Sequence, residues 1–273
     1  MPSVLASFPS DVPDQPELVS VRRDGDLVRL TIERPEVMNC LSFPTLRRFR
    51  LVLEELARDL SVRAVLLTGA GERAFCAGAD LKERRTMPTG RVPDFVRNIR
   101  GLMDDVAALP QPTIAVVNGV AFGGGTELML ACDLRVAAED AQFGLTETTL
   151  AIIPGAGGTQ RLPRLIGTSR AKDLVLTGRK LGAEEAERIG LVNRVAPRAE
   201  LDAVATALAR QIAANGPVAV RAAKAAIDQG TEVEIERGLA IEAECYARVI
   251  PTSDRLEALA AFAEKRAPRY EGR

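Results

Sequence analysis

Apolar and polar positions alternate from Leu18 to Arg22 and again from Leu27 to Glu33, on either side of Asp24-Gly25-Asp26. Alternation with period two around an Asp-Gly turn predicts a β-hairpin. Pro35 ends the second strand. From Ser42 the period changes: Leu46, Phe49, Leu53 and Leu56 recur at helical spacing, with Ser42 at the N-cap and Pro44 in the first turn. Arg63 to Thr68 predicts a strand. After a loop at Pro88–Gly90, the residues Val92, Phe95, Val96, Ile99, Leu102 and Met103 return to the helical period. Thr113 to Val117 is apolar and β-branched and predicts a buried strand. Thr126 to Ala131 reads as a helix start, with Thr126 able to cap it. Asp133 to Ala137 predicts a short strand. Helices follow from the Gly155–Gly158 turn through Leu165, at Ala171–Leu176 and at Ala183–Ile189. Strand and helix alternate to about Val195, which indicates an α/β core. From Ala199 onward only helices are predicted, at about 200–214, 217–229, 232–249 and 253–265. The third carries Ile235, Leu239, Ile241, Ala243, Cys245, Tyr246 and Val249 over a broad arc, and such a face needs a partner.

Composition narrows the chemistry. With 273 residues, 47% of them hydrophobic, the chain can bury one large domain, or a domain plus an extension. A formal net charge of −1 gives no general drive toward nucleic acid or membrane. No apolar run is long enough to span a bilayer. The absence of histidine removes Ser-His-Asp and Cys-His catalysis and every histidine-bound metal site, so no metal is expected. Cys40, Cys76, Cys132 and Cys245 show no C-x-x-C spacing and read as small buried hydrophobes in a reducing compartment. Residues 1–16 contain four prolines and no periodic pattern, which predicts a flexible tail. That tail lacks the basic and apolar regions of a secretory signal and the arginines of a mitochondrial transit peptide, so a cytoplasmic location is expected.

The stretch from Asn118 to Arg161 concentrates the candidate chemistry. It holds Gly123-Gly124-Gly125 and two carboxylates, Glu127 and Glu147. A strand that turns through glycines into a helix presents bare N–H groups, which favour negative charge. The guest is a phosphate or an oxyanion. A P-loop needs Gly-Lys-Ser/Thr, no lysine follows here, and Glu127 would repel a phosphate. An oxyanion hole beside an acid/base suits the residues better. The alternative is that the glycines only let a helix pack close to a strand and that Glu127 is solvated. Gly69 to Ala74 matches the dinucleotide fingerprint G-x-G-x-x-A, but no amphipathic helix opens there. Phe75 to Asp80, another turn of small residues, follows instead.

VNGVAFGGGTELMLACD, then AQFGLTE and IIPGAGGTQRLPR, resemble the enoyl-CoA hydratase/isomerase (crotonase) family. FCAGADLKER and AIDQGTEVEIERGLAIEAECYARVIPTSDRLEALAAFAEKRAPRYEGR resemble its methylglutaconyl-CoA hydratase branch, also described as AU-rich-RNA-binding. The similarity runs from about Leu18 to the C-terminus. It implies an α/β fold: a spiral of ββα units over 17–198, and an all-helical trimerisation region over 199–273 that forms a homotrimer or a hexamer of two trimers. It implies that the N–H groups of Ala79 and Gly124 form an oxyanion hole. Ala77 would lie against the adenine of coenzyme A, with Asp80, Leu81 and Lys82 in the same CoA-binding segment. Lys265 would contact a phosphate, unless it is a plain surface lysine. Glu127 and Glu147 would hold the water that adds across an α,β-unsaturated thioester.

No cofactor is implied, since coenzyme A is part of the substrate. The acyl group stays open between methylglutaconyl-CoA of leucine degradation and a short-chain enoyl-CoA of fatty-acid β-oxidation. A distal carboxylate would need a cation, and Arg84 is the candidate, with Arg85 second; otherwise Arg84 points to water. The branch's RNA-binding comb of lysines falls on Phe43, Arg47 and Leu51, only one of them basic, which argues against RNA. Arg47, Arg48, Arg50 and Arg58 are expected on a solvated helix face. Glu36 stands where general hydratases often carry a base near the CoA phosphate.

Overall fold

The computed structural model describes residues 7–273. Two sheets are wound through one another. The hairpin forms as predicted, β1 (Val19–Asp24) against β2 (Leu27–Ile32). α1 (Phe43–Arg58) starts at Ser42, whose hydroxyl accepts the Thr45 N–H. Then come β3 (Ala64–Gly69), β4 (Ala74–Cys76), α2 (Leu81–Thr86) and α3 (Val92–Ala107). β5 (Thr113–Val117), β6 (Val120–Phe122) and α4 (Gly124–Ala131) form the next turn, and β7 (Leu134–Ala138), β8 (Gln142–Gly144) and α5 (Gly158–Ile166) the one after. The spiral closes with α6 (Thr168–Thr177), β9 (Leu181–Gly182), α7 (Ala183–Arg188) and β10 (Arg194–Ala196).

In each turn the first strand joins one sheet and the second strand the other. The larger sheet has the order β1-β2-β3-β5-β7-β10, parallel except for the hairpin. The smaller has the order β4-β6-β8-β9, with β4, β6 and β8 parallel. This is the expected ββα spiral. The second strands went unpredicted because three residues carry too little pattern to read. β5 is buried at every position, as a strand covered on both faces must be.

Four helices follow: α8 (Leu201–Ala213), α9 (Pro217–Gly230), α10 (Ile235–Ala247) and α11 (Ser253–Glu264). The division at 198/199 does not hold at this end. α8 lies on the larger sheet, and its Leu201, Ala205, Leu208 and Ala209 belong to the main core. Only α9 and α10 make a separate cluster, around Ala222, Ile241 and Cys245. Lys224 of α9 pairs with Asp133, and Arg63 donates to the carbonyls of Ala213 and Tyr270, which ties this arm to the core. α11 leaves Leu256, Leu259 and Phe262 exposed, Phe262 by 86%. Among the described residues no helix is long and apolar enough to cross a membrane.

The N-terminal segment also departs from expectation. Residues 1–6 of the expected tail lie outside the described residues. From Ser7 on the chain is pinned: Phe8 and Val12 are buried, and Asp11 pairs with Arg91. The same packing overturns the solvated reading of α1. Arg47 donates to the Val12 carbonyl, Arg48 faces Asp14, and Arg50 bonds Asp105, Ser7 and Asn98. Only Arg58 stays on an exposed face, paired with Glu54. All four cysteines are free thiols, and burial pushes Cys40 up to about 11 and Cys76 and Cys132 up to about 12, so these three stay protonated.

Candidate active site

The three parallel strands of the smaller sheet end side by side, and each end delivers one part of a pocket. Ala77-Gly78-Ala79 leaves β4, Gly123-Gly124 leaves β6, and Glu147 stands after β8. Crevices at the carboxyl ends of parallel strands are where α/β folds place their ligands.

α4 begins at Gly124, two residues before the helix read from the sequence. Its cap is Gly123 (φ 51°), with no side-chain bond. Thr126 therefore does not cap. It lies buried within the first turn and donates to the carbonyl of Ala121 or Gly144. A Cβ on Gly125 would sit 1.8 Å from the Cys76 carbonyl oxygen, so the helix packs directly on the end of β4. The glycines divide by position: Gly125 serves packing, Gly123 and Gly124 face the pocket, and Glu127 is buried rather than solvated.

Among the described residues neither the Ala79 nor the Gly124 N–H donates to another protein group. The two are neighbours, since a Cβ on Gly124 would lie 3.7 Å from the Ala79 nitrogen. Two unbonded N–H groups in one wall are a ready receptor for a carbonyl oxygen that gains charge.

Glu127 and Glu147 line the same pocket, although they share no helix face. Glu127 is buried, and its Oε1 accepts the N–H groups of Ala156 and Gly158, both at 2.8 Å. Burial raises its pKa, and the two N–H donors and Arg161 pull partly back. Glu147 opens a short 3-10 turn (Glu147–Leu150), and its buried Oε2 has no hydrogen-bond partner among the described residues. Burial first, and the charge of Glu127 second, push its pKa up to about 7. A Cβ on Gly123 would come within 3.1 Å of Glu147 Oε1, so only glycine leaves that carboxylate its place.

Phe95, Val96 and Ile99 of α3, the helix that the spacing from Val92 predicted, form one wall. Leu150, Ile152 and Ile153 form the rim. Ala77, Leu81 and Arg84 also line the pocket. Arg84 does not simply point to water: its guanidinium lies 5.2 Å from the Phe95 ring centroid, and its buried Nη1 has no hydrogen-bond partner. Arg85 is exposed and off the pocket.

Asp80 lies behind this wall. Oδ1 caps α2 by accepting the Lys82 and Glu83 N–H groups, and Oδ2 pairs with Arg34 at 2.9 Å. Its carboxylate is engaged by these three donors, and Asp80 does not line the pocket. Lys82 is exposed beside the pocket without lining it. Lys265 sits at the left-handed end of α11 (φ 54°), outside the pocket of its own chain. The residues missed from sequence are the Ala156 and Gly158 donors and Arg161 behind them. Their signal was the glycine-rich PGAGGTQR turn, whose N–H groups have no side-chain identity to read.

Comparison with known proteins points the same way. The family model described as enoyl-CoA hydratase/isomerase matches residues 22–273. The human mitochondrial enoyl-CoA hydratase domain-containing protein 2 is 51% identical over 254 residues, 92% of this chain and 87% of that protein. The human mitochondrial methylglutaconyl-CoA hydratase is 51% identical over 250 residues, 90% of this chain and 74% of that one. A crystal structure of enoyl-CoA hydratase from Bacillus anthracis superimposes with a TM-score of 0.93 at 52% identity, covering 94% of this chain and all of that one. A match of this length and identity, carried on a crotonase-type ββα spiral, makes the chain an enzyme of the enoyl-CoA hydratase/isomerase family.

Proposed function

We propose that the protein hydrates an α,β-unsaturated acyl-CoA, with Glu127 and Glu147 as the acid–base pair and the N–H groups of Ala79 and Gly124 as the oxyanion hole. The observation that carries this reading is the meeting of two carboxylates and two unbonded N–H groups in one largely apolar pocket. The thioester oxygen is held by the two N–H groups. A water between the carboxylates loses a proton to one of them as its oxygen bonds to C3. Electrons move onto the thioester oxygen as an enolate, and the other carboxyl gives a proton to C2. A carboxyl poised near neutrality can take and return a proton at physiological pH, as Glu147 is at about 7. The reading needs no metal or cofactor beyond the coenzyme A already on the substrate.

Glu127→Gln and Glu147→Gln test it. Each is expected to lower kcat for crotonyl-CoA hydration by about 10²-fold or more, with little change in substrate binding. Near-normal hydration by either variant would remove that residue from the pair.

For the acyl group we favour a substrate with a distal carboxylate, such as methylglutaconyl-CoA. Arg84 supports this, because a buried guanidinium nitrogen without a partner is costly until an anion meets it. A charge-assisted pair is worth about 1.5–3 kcal/mol. Arg84→Ala should therefore lower kcat/KM for methylglutaconyl-CoA by roughly 10- to 100-fold and leave crotonyl-CoA almost unchanged. Equal loss on both substrates would assign Arg84 to folding or coenzyme A binding. A general short-chain hydratase is the second reading, supported by the apolar wall of Phe95, Val96 and Ile99.

The exposed apolar face of α9–α11 supports assembly with further copies, as a homotrimer or a dimer of trimers, which analytical ultracentrifugation reads directly. Ala77, Leu81 and Lys82 are the proposed coenzyme A contacts within the chain. Lys265 would serve a neighbour's site. RNA binding is disfavoured further, because Arg47, Arg48 and Arg50 are already engaged within the chain.

A further inference from the structure

We infer that Arg161 is a positioning residue for Glu127, acting through the Ala156–Gly158 turn, and that its ion pair with Asp104 locks this turn to the α3 wall of the pocket. The inference rests on the proposed role of Glu127 in proton transfer.

Both backbone donors fall on Oε1 of Glu127. That oxygen is saturated, which leaves Oε2 as the one that can exchange a proton with a bound water. The placement of the turn therefore decides which oxygen does chemistry and where it points. Yet the segment Gly155-Ala156-Gly157-Gly158 is almost all glycine, and glycine holds a backbone loosely. Its rigidity has to come from outside.

Arg161 supplies it. Nη1 donates to the Ala156 carbonyl at 3.1 Å, while the N–H of the same residue holds Glu127. The guanidinium fills the space above Gly157, where an added Cβ would meet Nη1 at 2.2 Å. Nη2 pairs with Asp104 at 2.9 Å. Asp104 belongs to the same helix as Phe95, Val96 and Ile99, so one side chain joins the turn under Glu127 to the wall facing it. Taken as a surface ion pair alone, Arg161–Asp104 would contribute little. The bond to the carbonyl of fully buried Ala156 is what sets it apart. The positive charge also favours the ionised form of Glu127. The other charged groups lining the pocket are Glu147 from the 3-10 turn and Arg84 from α2; α3 brings only apolar side chains to it.

The test compares Arg161→Gln, Arg161→Lys and Asp104→Asn in the full-length protein, with Glu127→Gln as reference, by the pH profiles of kcat and kcat/KM. Arg161→Gln should lower kcat by about 10- to 100-fold, the scale of a misplaced catalytic group, with a much smaller change in KM. The limb governed by Glu127 should move to higher pH, whether that limb is the acid or the alkaline one. Arg161→Lys should return that limb and part of kcat. Asp104→Asn frees the guanidinium without removing it and should give a loss of several-fold in kcat. A folded Arg161→Gln with wild-type kcat and an unmoved limb overturns the inference. If that variant does not fold, a wild-type profile for Asp104→Asn overturns it instead. Activity retained by Glu127→Gln brings down the two-carboxylate reading itself. Loss there with none in the Arg161 and Asp104 variants brings down only the clamp.

Discussion

Glu127 and Glu147 are the same side chain set twice into one pocket, and the fold treats them in opposite ways. Glu127 rides on the first turn of α4 and surrenders one oxygen to two backbone N–H groups. Glu147 stands at the start of a 3-10 turn, and its Oε2 is buried with nothing to bond. Burial raises both, but Glu147 lacks the pair of N–H donors that Glu127 has and is carried to about 7, with the charge of Glu127 adding to the lift. Two identical groups are separated in acidity by what their backbones offer them. That separation lets one carboxyl hold a proton while its neighbour is charged.

The difference can be pressed hardest through the glycines that make room for each carboxylate. An alanine at 158 would bring its Cβ within 3.0 Å of Glu127 Oε1, Leu145 and Pro154 at once, leaving Glu127 no retreat. Gly158→Ala should lower kcat by about 10²-fold through displacement of that carboxylate. Gly123→Ala meets the unbonded Glu147, which can swing aside, so its activity loss should be the smaller. Its main cost should be in stability, about 1–3 kcal/mol for a side chain at φ 51°. Stopped-flow kinetics and thermal melts on both variants give the ranking. Equal kinetic losses would break the contrast between a held carboxylate and a free one.

A smaller effect separates the two carboxylates in stability. The Glu147 carboxyl titrates near 4.5 in an ordinary setting and at about 7 in the fold. As pH rises between these values, the unfolded chain gives up a proton that the folded chain keeps, so stability falls across the window and stays lower above it. Glu147→Gln removes the effect. The variant should match the wild type below about pH 4.5 and gain about 1–3 kcal/mol above pH 7. Glu127→Gln should gain less, since its N–H donors already offset part of the burial. Urea melts at several pH values measure both, and a larger gain for Glu127→Gln would reverse the comparison.

How far the sequence could be read depended on the range of the interaction. The Ser42 cap, the hairpin at Asp24-Gly25-Asp26 and the helical period of α3 are local, and each stands where the pattern put it. Thr126 misled because a threonine before an apolar run is a cap only when the helix starts there; the approach of Gly125 to Cys76 starts it earlier. The arginines of α1 misled because their partners, Val12, Asp14 and Asp105, come from distant segments that the helical period cannot see. α8 looked like its helical successors, and only its docking on the sheet separates it from them.

By itself the sequence determined the kinds of atom available. With no histidine, any chemistry is left to carboxylates, backbone dipoles, Lys, Tyr or Cys, and the glycines at 123–125 mark a strand that turns into a helix with bare N–H groups at its mouth. A resemblance carried by those same residues named the family. What only the tertiary structure decided is which groups meet. Glu127 and Glu147 are brought together because β6 and β8 lie side by side, and Arg84 enters the pocket because α2 folds against Phe95. The pKa separation, the saturated Oε1 and the unbonded Nη1 of Arg84 all arise from burial and backbone dipoles supplied across the spiral. Those fields depend on distance in space, which the order of residues along the chain does not contain.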